Sequence, residues 1–135
     1  MANTTTESTS LIAFTLPSTP YSARMARFYV RAALSYHALE DYVEAAETVT
    51  SELVTNAITH ASASTIGLEL TCLEGSRAVA IVVTDPSPLP PVKRGPADDA
   101  GHWRGLHIVG ALSARWGWRP QAPGKAVYAI LTREA

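Results

Sequence analysis

Residues 41–61 read DYVEAAETVTSELVTNAITHA, and the rest of the chain can be arranged around this stretch. Its apolar residues recur every three or four positions, which is the spacing of one face of an α-helix. The predicted buried face consists of Val43, Ala46, Val49 or Thr50, Leu53, Ala57 and Ile58. We therefore predict an amphipathic helix that packs on the rest of the protein through this face.

A tail, a strand and another helix are predicted before this segment. Residues 1–10 are polar and predict a flexible N-terminal tail, and residues 11–16 (LIAFTL) predict a short strand that is stopped by Pro17 and Pro20. Residues 22–39 have helical spacing. The predicted buried face of this first helix consists of Met25, Phe28, Ala32 and Tyr36.

Three arginines, Arg24, Arg27 and Arg31, lie at helical spacing on another face of the first helix. An acidic stretch follows them, formed by Glu40, Asp41, Glu44, Glu47 and Glu52. Two interpretations stay open. The arginines form a solvated basic face, or they form a surface that steers the association with a partner protein.

The second half of the chain predicts strands and one more helix. In residues 66–73 the apolar side chains, including Cys72, alternate onto one face of a strand, and residues 78–84 (AVAIVVT) are apolar enough for a central strand covered on both faces. Residues 86–101 are rich in proline and form a long connection. A helix over residues 105–114 and strands over residues 115–119 and 125–132, joined by a turn, complete the order of elements.

This order predicts the α+β class, as a two-layer sandwich with helices on one face of a mixed, mostly antiparallel sheet. The chain has 135 residues, which fits a single domain over residues 11–135 after the tail. Hydrophobic residues make up 47%, enough for a core, and the net charge of −1 argues against a nucleic-acid or polybasic membrane binder. A single cysteine, no apolar run of membrane-spanning length and no signal peptide favour a cytoplasmic protein.

Glu52, Asn56 and His60 follow one another at intervals of four on the predicted second helix, so they share one side of it. Asparagine is a mediocre residue for a helix interior because its side chain competes for backbone hydrogen bonds, which suggests another role for Asn56. The alternative is the ordinary solvent-facing side of an amphipathic helix.

Three further places in the sequence could contact a ligand. Asp85 follows the apolar strand directly, and an ionised carboxylate there would accept from an amine but not from a carbonyl, unless it only begins an Asp-Pro turn. Gly105 beside Arg104, at a helix start, would let backbone N–H groups and a guanidinium meet an anion. Lys125 after Gly124 would reach a phosphate as a point charge, unless it is an exposed hairpin residue.

In order and spacing these pieces resemble the GHKL ATP-binding family, and within it the small bacterial branch of anti-sigma-factor serine/threonine kinases, which is abundant in actinobacteria. The resemblance covers about residues 11–132. Its motifs are SELVTNA at residues 51–57 with His60, DPS at residues 85–87 with Pro91, RGL at residues 104–106, and GKAVYA at residues 124–129. The signatures of P-loop NTPases, Rossmann enzymes, zinc proteases and serine hydrolases are absent from the sequence.

The resemblance implies a histidine kinase-like ATPase fold that binds ATP and Mg²⁺, with a role for each matching position. Asn56 would be the Mg²⁺ ligand, Glu52 the general base, and Asp85 the acceptor of the adenine amine. The remaining implied nucleotide-binding residues are His60, Ser87, Arg104, Gly105, Leu106 and Lys125. Residues 86–101 would form a lid over the nucleotide.

The implied partners are a sigma factor and an anti-anti-sigma protein, which the kinase would phosphorylate, together with a second copy of the chain in a homodimer. Neither nucleic acid nor membrane is among the expected direct partners. Two positions depart from the pattern, since Trp103 occupies the place of a glycine and Ala126 that of a threonine. They motivate the alternative of a catalytically degenerate nucleotide-sensing or protein-interaction module. A third hypothesis is the catalytic domain of a split histidine kinase.

Overall fold

The computed structural model describes residues 7–60, 65–73, 77–87 and 102–133, without the side chains of residues 60 and 102–105. The strands are β1 (Ser8–Pro17), β2 (Thr65–Leu73), β3 (Ala78–Asp85), β4 (Arg115–Pro120) and β5 (Lys125–Thr132). The helices are α1 (Tyr21–Tyr36), α2 (Val43–His60) and α3 (His102–Leu112), with a 3₁₀ turn at Glu40–Tyr42 before α2.

The strands form one five-stranded sheet in the order β1-β2-β3-β5-β4. The helices lie against it, with α2 contacting β2, β3 and β5, and both α1 and α3 contacting α2. The predicted α+β class is therefore confirmed. All the pairings between these strands are antiparallel. The sheet is therefore fully antiparallel, whereas a mixed, mostly antiparallel sheet was expected.

Strand β3 runs through the middle of the sheet and shows which face carries the core. Val79, Ile81 and Val83 are buried, whereas the residues between them are only half-buried. The prediction of a strand covered on both faces is therefore wrong within the described residues, because the described helices cover one face. Asp85, the last residue of β3, belongs to the buried, helix-facing set.

Helix α2 buries the face that its spacing predicts. Ala46, Val49, Leu53, Val54 and Ala57 all lie in the core. Two polar residues of the same helix, Thr50 and Asn56, are buried as well. The helix therefore places polar atoms where most helices place only apolar ones.

Helix α1 buries a different face from the one predicted. Phe28 is 66% exposed and Tyr36 is 85% exposed, and Ala32 is exposed as well. The buried residues are Ser22, Ala23, Ala26, Val30, Ala33 and Leu34. Small residues allow α1 to approach α2 closely, and the larger aromatic side chains lie outside, where Phe28 contacts Tyr29 edge-on at a centroid distance of 5.9 Å.

Several element boundaries differ from those expected. Strand β1 begins at Ser8, so the end of the predicted tail belongs to the sheet. Helix α3 begins at His102, three residues before the predicted start at Gly105. Residues 1–6 of the predicted tail and residues 88–101 of the predicted lid lie outside the described residues.

Candidate functional site

Helix α2 carries Glu52 and Asn56 one turn apart. Asn56 is only 7% exposed, and its Oδ1 accepts no hydrogen bond from any residue that the structure describes. A buried amide oxygen without a donor costs about 1–3 kcal/mol. The helix therefore holds a hard oxygen acceptor in the interior that is free to contact a ligand.

Glu52 is half-buried and lines a groove between α1 and α2 with a volume of about 490 Å³. The same groove is lined by Arg27, Arg31 and Ser51, among others. Arg27 Nη1 donates to Ser51 Oγ at 2.9 Å, so the arginine is held against α2. The Glu52 carboxylate is therefore accessible to an incoming group along the groove, unlike the neighbouring Asn56.

The basic face of α1, formed by Arg24, Arg27 and Arg31, makes contacts with α2 within the molecule. Arg31 donates to Glu47 Oε2 from Nε at 2.7 Å and from Nη2 at 2.6 Å. With Arg27 bonded to Ser51, two of the three arginines are bound to α2. The use of this face to steer a partner stays a prediction.

A second group of site residues forms at the end of β3. Lys125 Nζ donates to Asp85 Oδ1 at 3.0 Å, and both side chains are buried. The backbone N–H of Ser87 donates to the same oxygen at 2.8 Å. The other oxygen, Asp85 Oδ2, is buried and receives no hydrogen bond from the described residues. One oxygen of the carboxylate is thus hydrogen-bonded twice, and the other has no donor among the described residues.

The sequence builds this group through the pairing of β3 and β5. Asp85 lies directly opposite Lys125 in that pairing, and facing residues on neighbouring strands share one side of a sheet. Gly124 precedes the lysine with φ of 90°, and a Cβ there would collide with the carbonyl oxygen of Asp85 and with Pro86. Only glycine fits this close approach. Asp85 and Pro86 also border a cavity of about 230 Å³ at the end of the sheet.

Helix α3 supplies the third part of the predicted site. It contacts α2, and Leu106 is buried. Arg104 and Gly105 lie in its first turn, because the helix begins at His102. Their side chains, like that of His60 at the end of α2, are outside what the structure describes.

The structure thus brings Asp85, Ser87 and Lys125 into direct contact and sets Glu52 and Asn56 on one helix. Sequence reasoning missed the contact between Lys125 and Asp85, since it directed the lysine to a phosphate. A signal was present: Asp85 ends one strand and Lys125 begins another, as expected of facing residues in an antiparallel pair. The predicted contact of Lys125 with phosphate remains a prediction.

The described residues contain no cluster of three or more His, Cys, Asp or Glu side chains that could hold a metal ion by themselves. A metal near Asn56 would therefore need ligand atoms from another source, such as phosphate oxygens. Within the described part of the chain, no helix combines the length and the apolar character needed to cross a lipid bilayer.

The fold and these motifs define an ATPase-type domain. The family model of the histidine kinase-like ATPase domain matches residues 16–131, so the chain belongs to that family. This match confirms the family that the four motifs predicted.

A solved structure has the same fold. It is the crystal structure of the RsbU and RsbW domains of Rv1364c from Mycobacterium tuberculosis. Its sequence is 21% identical to this chain over the alignment, and the TM-score is 0.66. The alignment covers 90% of this chain and 31% of that one, so this chain spans about a third of its length. The comparison with curated proteins gave no match.

Proposed function

We propose that the protein is a Mg²⁺- and ATP-dependent serine/threonine protein kinase that works as an anti-sigma-factor switch. The observation that carries the proposal is Asn56, whose buried Oδ1 has no donor among the described residues. An acceptor kept buried at a cost in stability is typical of a binding site. Family membership supports ATP as the nucleotide.

The available atoms fit the two parts of the ligand. Mg²⁺ prefers hard oxygen ligands and usually takes only one or two from the protein, the remainder being water and phosphate oxygens. Asn56 Oδ1 is such an oxygen. Asp85 Oδ2 is an acceptor that fits the exocyclic amine of adenine. His60, Ser87, Arg104, Gly105, Leu106 and Lys125 would complete the nucleotide site.

Glu52 would perform the proton transfer. Bound ATP would supply the γ-phosphoryl group and leave as ADP when the bond to its β-phosphate oxygen breaks, and Mg²⁺ would offset the phosphate charge. The carboxylate of Glu52, which borders the groove, would accept the proton of the serine or threonine hydroxyl as its oxygen bonds to phosphorus. The proposed substrate is an anti-anti-sigma protein and the proposed second partner is a sigma factor, with a homodimer as the assembly. Nothing in the proposal requires nucleic acid or a membrane.

Thermal unfolding with increasing ATP, with and without Mg²⁺, tests the binding site. At ATP a hundredfold above Kd, we expect the melting temperature to rise by about 5–10 °C. Asn56→Ala should lose the Mg²⁺-dependent part of this rise. Thr50→Val is the matched control, since Thr50 Oγ1 is also buried on α2 without a described partner but lies outside the motif.

Transfer of labelled phosphate from ATP to candidate antagonist proteins tests the reaction. Glu52→Gln should bind ATP as the wild type does and transfer about 10²–10⁴-fold more slowly, the usual range for losing a general base. If ATP binds but the wild type transfers nothing, the alternative of a catalytically degenerate nucleotide-sensing module is the correct one. If ATP does not stabilise the wild type, the proposed site is wrong.

A further inference from the structure

We infer that Lys125 is a positioning residue that fixes the Asp85 carboxylate so that the site prefers a base with an exocyclic amine over one with a carbonyl. This inference rests on the proposed function, because it concerns the base end of the same nucleotide site. It concerns how the site selects its base, through a residue that sequence reasoning had directed to the phosphates.

The two oxygens of Asp85 are in different environments. Oδ1 accepts from Lys125 Nζ at 3.0 Å and from Ser87 N at 2.8 Å. Oδ2 accepts from no described residue, although it is buried. Two donors on one oxygen fix the rotation of the carboxylate about its side-chain bonds. The open oxygen then has a fixed position and direction.

The side chain of Lys125 is positioned to contact Asp85 and not the solvent. The side chain of Lys125 is 5% exposed and that of Asp85 is 1% exposed, so the pair is withdrawn from solvent. Burial of two charges is offset only when the geometry of the pair is good. The pairing of β3 with β5 provides it, and Gly124 lets the β4–β5 turn approach the backbone at Asp85 and Pro86. An ammonium held in this way is not available as a mobile surface charge.

The consequence is selectivity between bases. A carboxylate oxygen accepts hydrogen bonds, so the open Oδ2 can bind the amine at position 6 of adenine. A carbonyl at that position would face another acceptor and leave both atoms unpaired. Sites that hydrogen-bond a ligand reject analogues that lack the donor far more strongly than apolar pockets reject a change in size. Lys125 maintains this preference by preventing the carboxylate from turning away.

Competition between ATP and inosine triphosphate tests this inference. Inosine triphosphate carries a carbonyl at position 6 in place of the amine of ATP, together with a proton on the neighbouring ring nitrogen. We expect the wild type to bind ATP about 100-fold more tightly, from the usual worth of a hydrogen bond to a charged group. Lys125→Met should reduce this ratio about tenfold or more, whereas Lys125→Arg, which keeps the charge and the donors, should retain most of it.

The controls separate selectivity from folding. Arg133→Met removes an exposed ion pair with Asp41 at the other end of β5 and should leave the ratio unchanged. Unfolding without nucleotide shows whether each variant folds. Should Lys125→Met fail to fold, Lys125→Gln, which loses the charge but keeps a donor, is expected to lower the ratio in the same direction.

The outcomes also separate this inference from the proposed function. If the wild type binds neither nucleotide, the proposed site is wrong and the inference fails with it. If the wild type prefers ATP but a folded Lys125→Met keeps the full ratio, only the inference is overturned. Tighter binding of ATP by Lys125→Met would overturn it too, because the lysine would then be blocking the base.

Discussion

Helices α1 and α2 pack against each other, but they differ in which kinds of residue they bury and expose. Helix α1 buries Ala26, Val30 and Leu34 and leaves Phe28 and Tyr36 on its outer side. Helix α2 buries its apolar residues, and with them two polar ones, Thr50 and Asn56. Large apolar side chains are thus exposed on α1. Helix α1 also buries Ser22, whose hydroxyl donates to the carbonyl oxygen of Pro17, whereas the buried oxygens of Thr50 and Asn56 in α2 have no described donor.

This contrast separates residues whose packing holds the fold from buried polar residues that packing does not explain. In α1, close contact with α2 selects small side chains, so the size of a residue is a poor guide to its burial. In α2, the buried oxygens of Thr50 and Asn56 have no donor among the described residues, which lowers the stability of the fold. Five substitutions, measured in three experiments, test this comparison.

The largest effect is expected inside α1. Leu34→Ala should lower the free energy of unfolding by about 3 kcal/mol, because Leu34 is fully buried and its removal leaves a cavity. Phe28→Ala removes a larger side chain from an exposed position and should cost about 0.5 kcal/mol. Urea unfolding of both variants measures the difference. A greater loss for Phe28→Ala would restore the originally predicted buried face.

A smaller effect, of opposite sign, is expected inside α2. Asn56→Leu replaces an amide whose Oδ1 has no described donor with an apolar group of similar size, and it should raise the free energy of unfolding by about 1 kcal/mol without nucleotide. The same variant should lose the Mg²⁺-dependent stabilisation by ATP. Chemical unfolding in the absence and presence of Mg²⁺ and ATP measures both. If the apo protein loses stability instead, Asn56 has a structural role that the described contacts do not account for.

The smallest effect is expected where the two helices meet at the surface. Arg31→Met breaks the ion pair with Glu47 and should cost about 0.5 kcal/mol at low salt and less at high salt, because solvent screens exposed pairs. Arg24→Met, on the same helix without an ion pair to α2 among the described residues, should change stability less. Unfolding at two salt concentrations compares them. Equal losses would show that the pair contributes nothing of its own.

The sequence predicts the buried face of an element when local spacing alone fixes that face. It does not when the face depends on tertiary packing. The buried face of α2 follows from periodicity because a single set of apolar residues fits it. In α1 two sets of residues have the spacing of one helix face, and hydrophobicity favours the larger Phe28 and Tyr36 over the small residues Ala26 and Ala33. The two faces of β3 could not be told apart from its uniformly apolar sequence, because the covering layer is a tertiary feature.

The candidate site likewise has one part that local spacing predicts and one part that it does not. Spacing on one helix was enough to group Glu52 with Asn56, since a helix fixes which residues share a side. The contact between Asp85 and Lys125 joins residues 40 positions apart, so it depends on how two strands pair. Sequence spacing within one element carries no such information.

That strand pairing also makes the contact between Asp85 and Lys125 depend on the correct register of β3 and β5. Successive residues of a strand point to opposite faces, so a slip of one position between β3 and β5 would turn Asp85 and Lys125 away from each other. The slipped register would bury a lone carboxylate or a lone ammonium, each far costlier than the pair. It would also move Gly124 away from the backbone it must approach. The polar pair thus favours the correct register of the central strands, and a chain folded in that register already holds the Asp85 carboxylate in place.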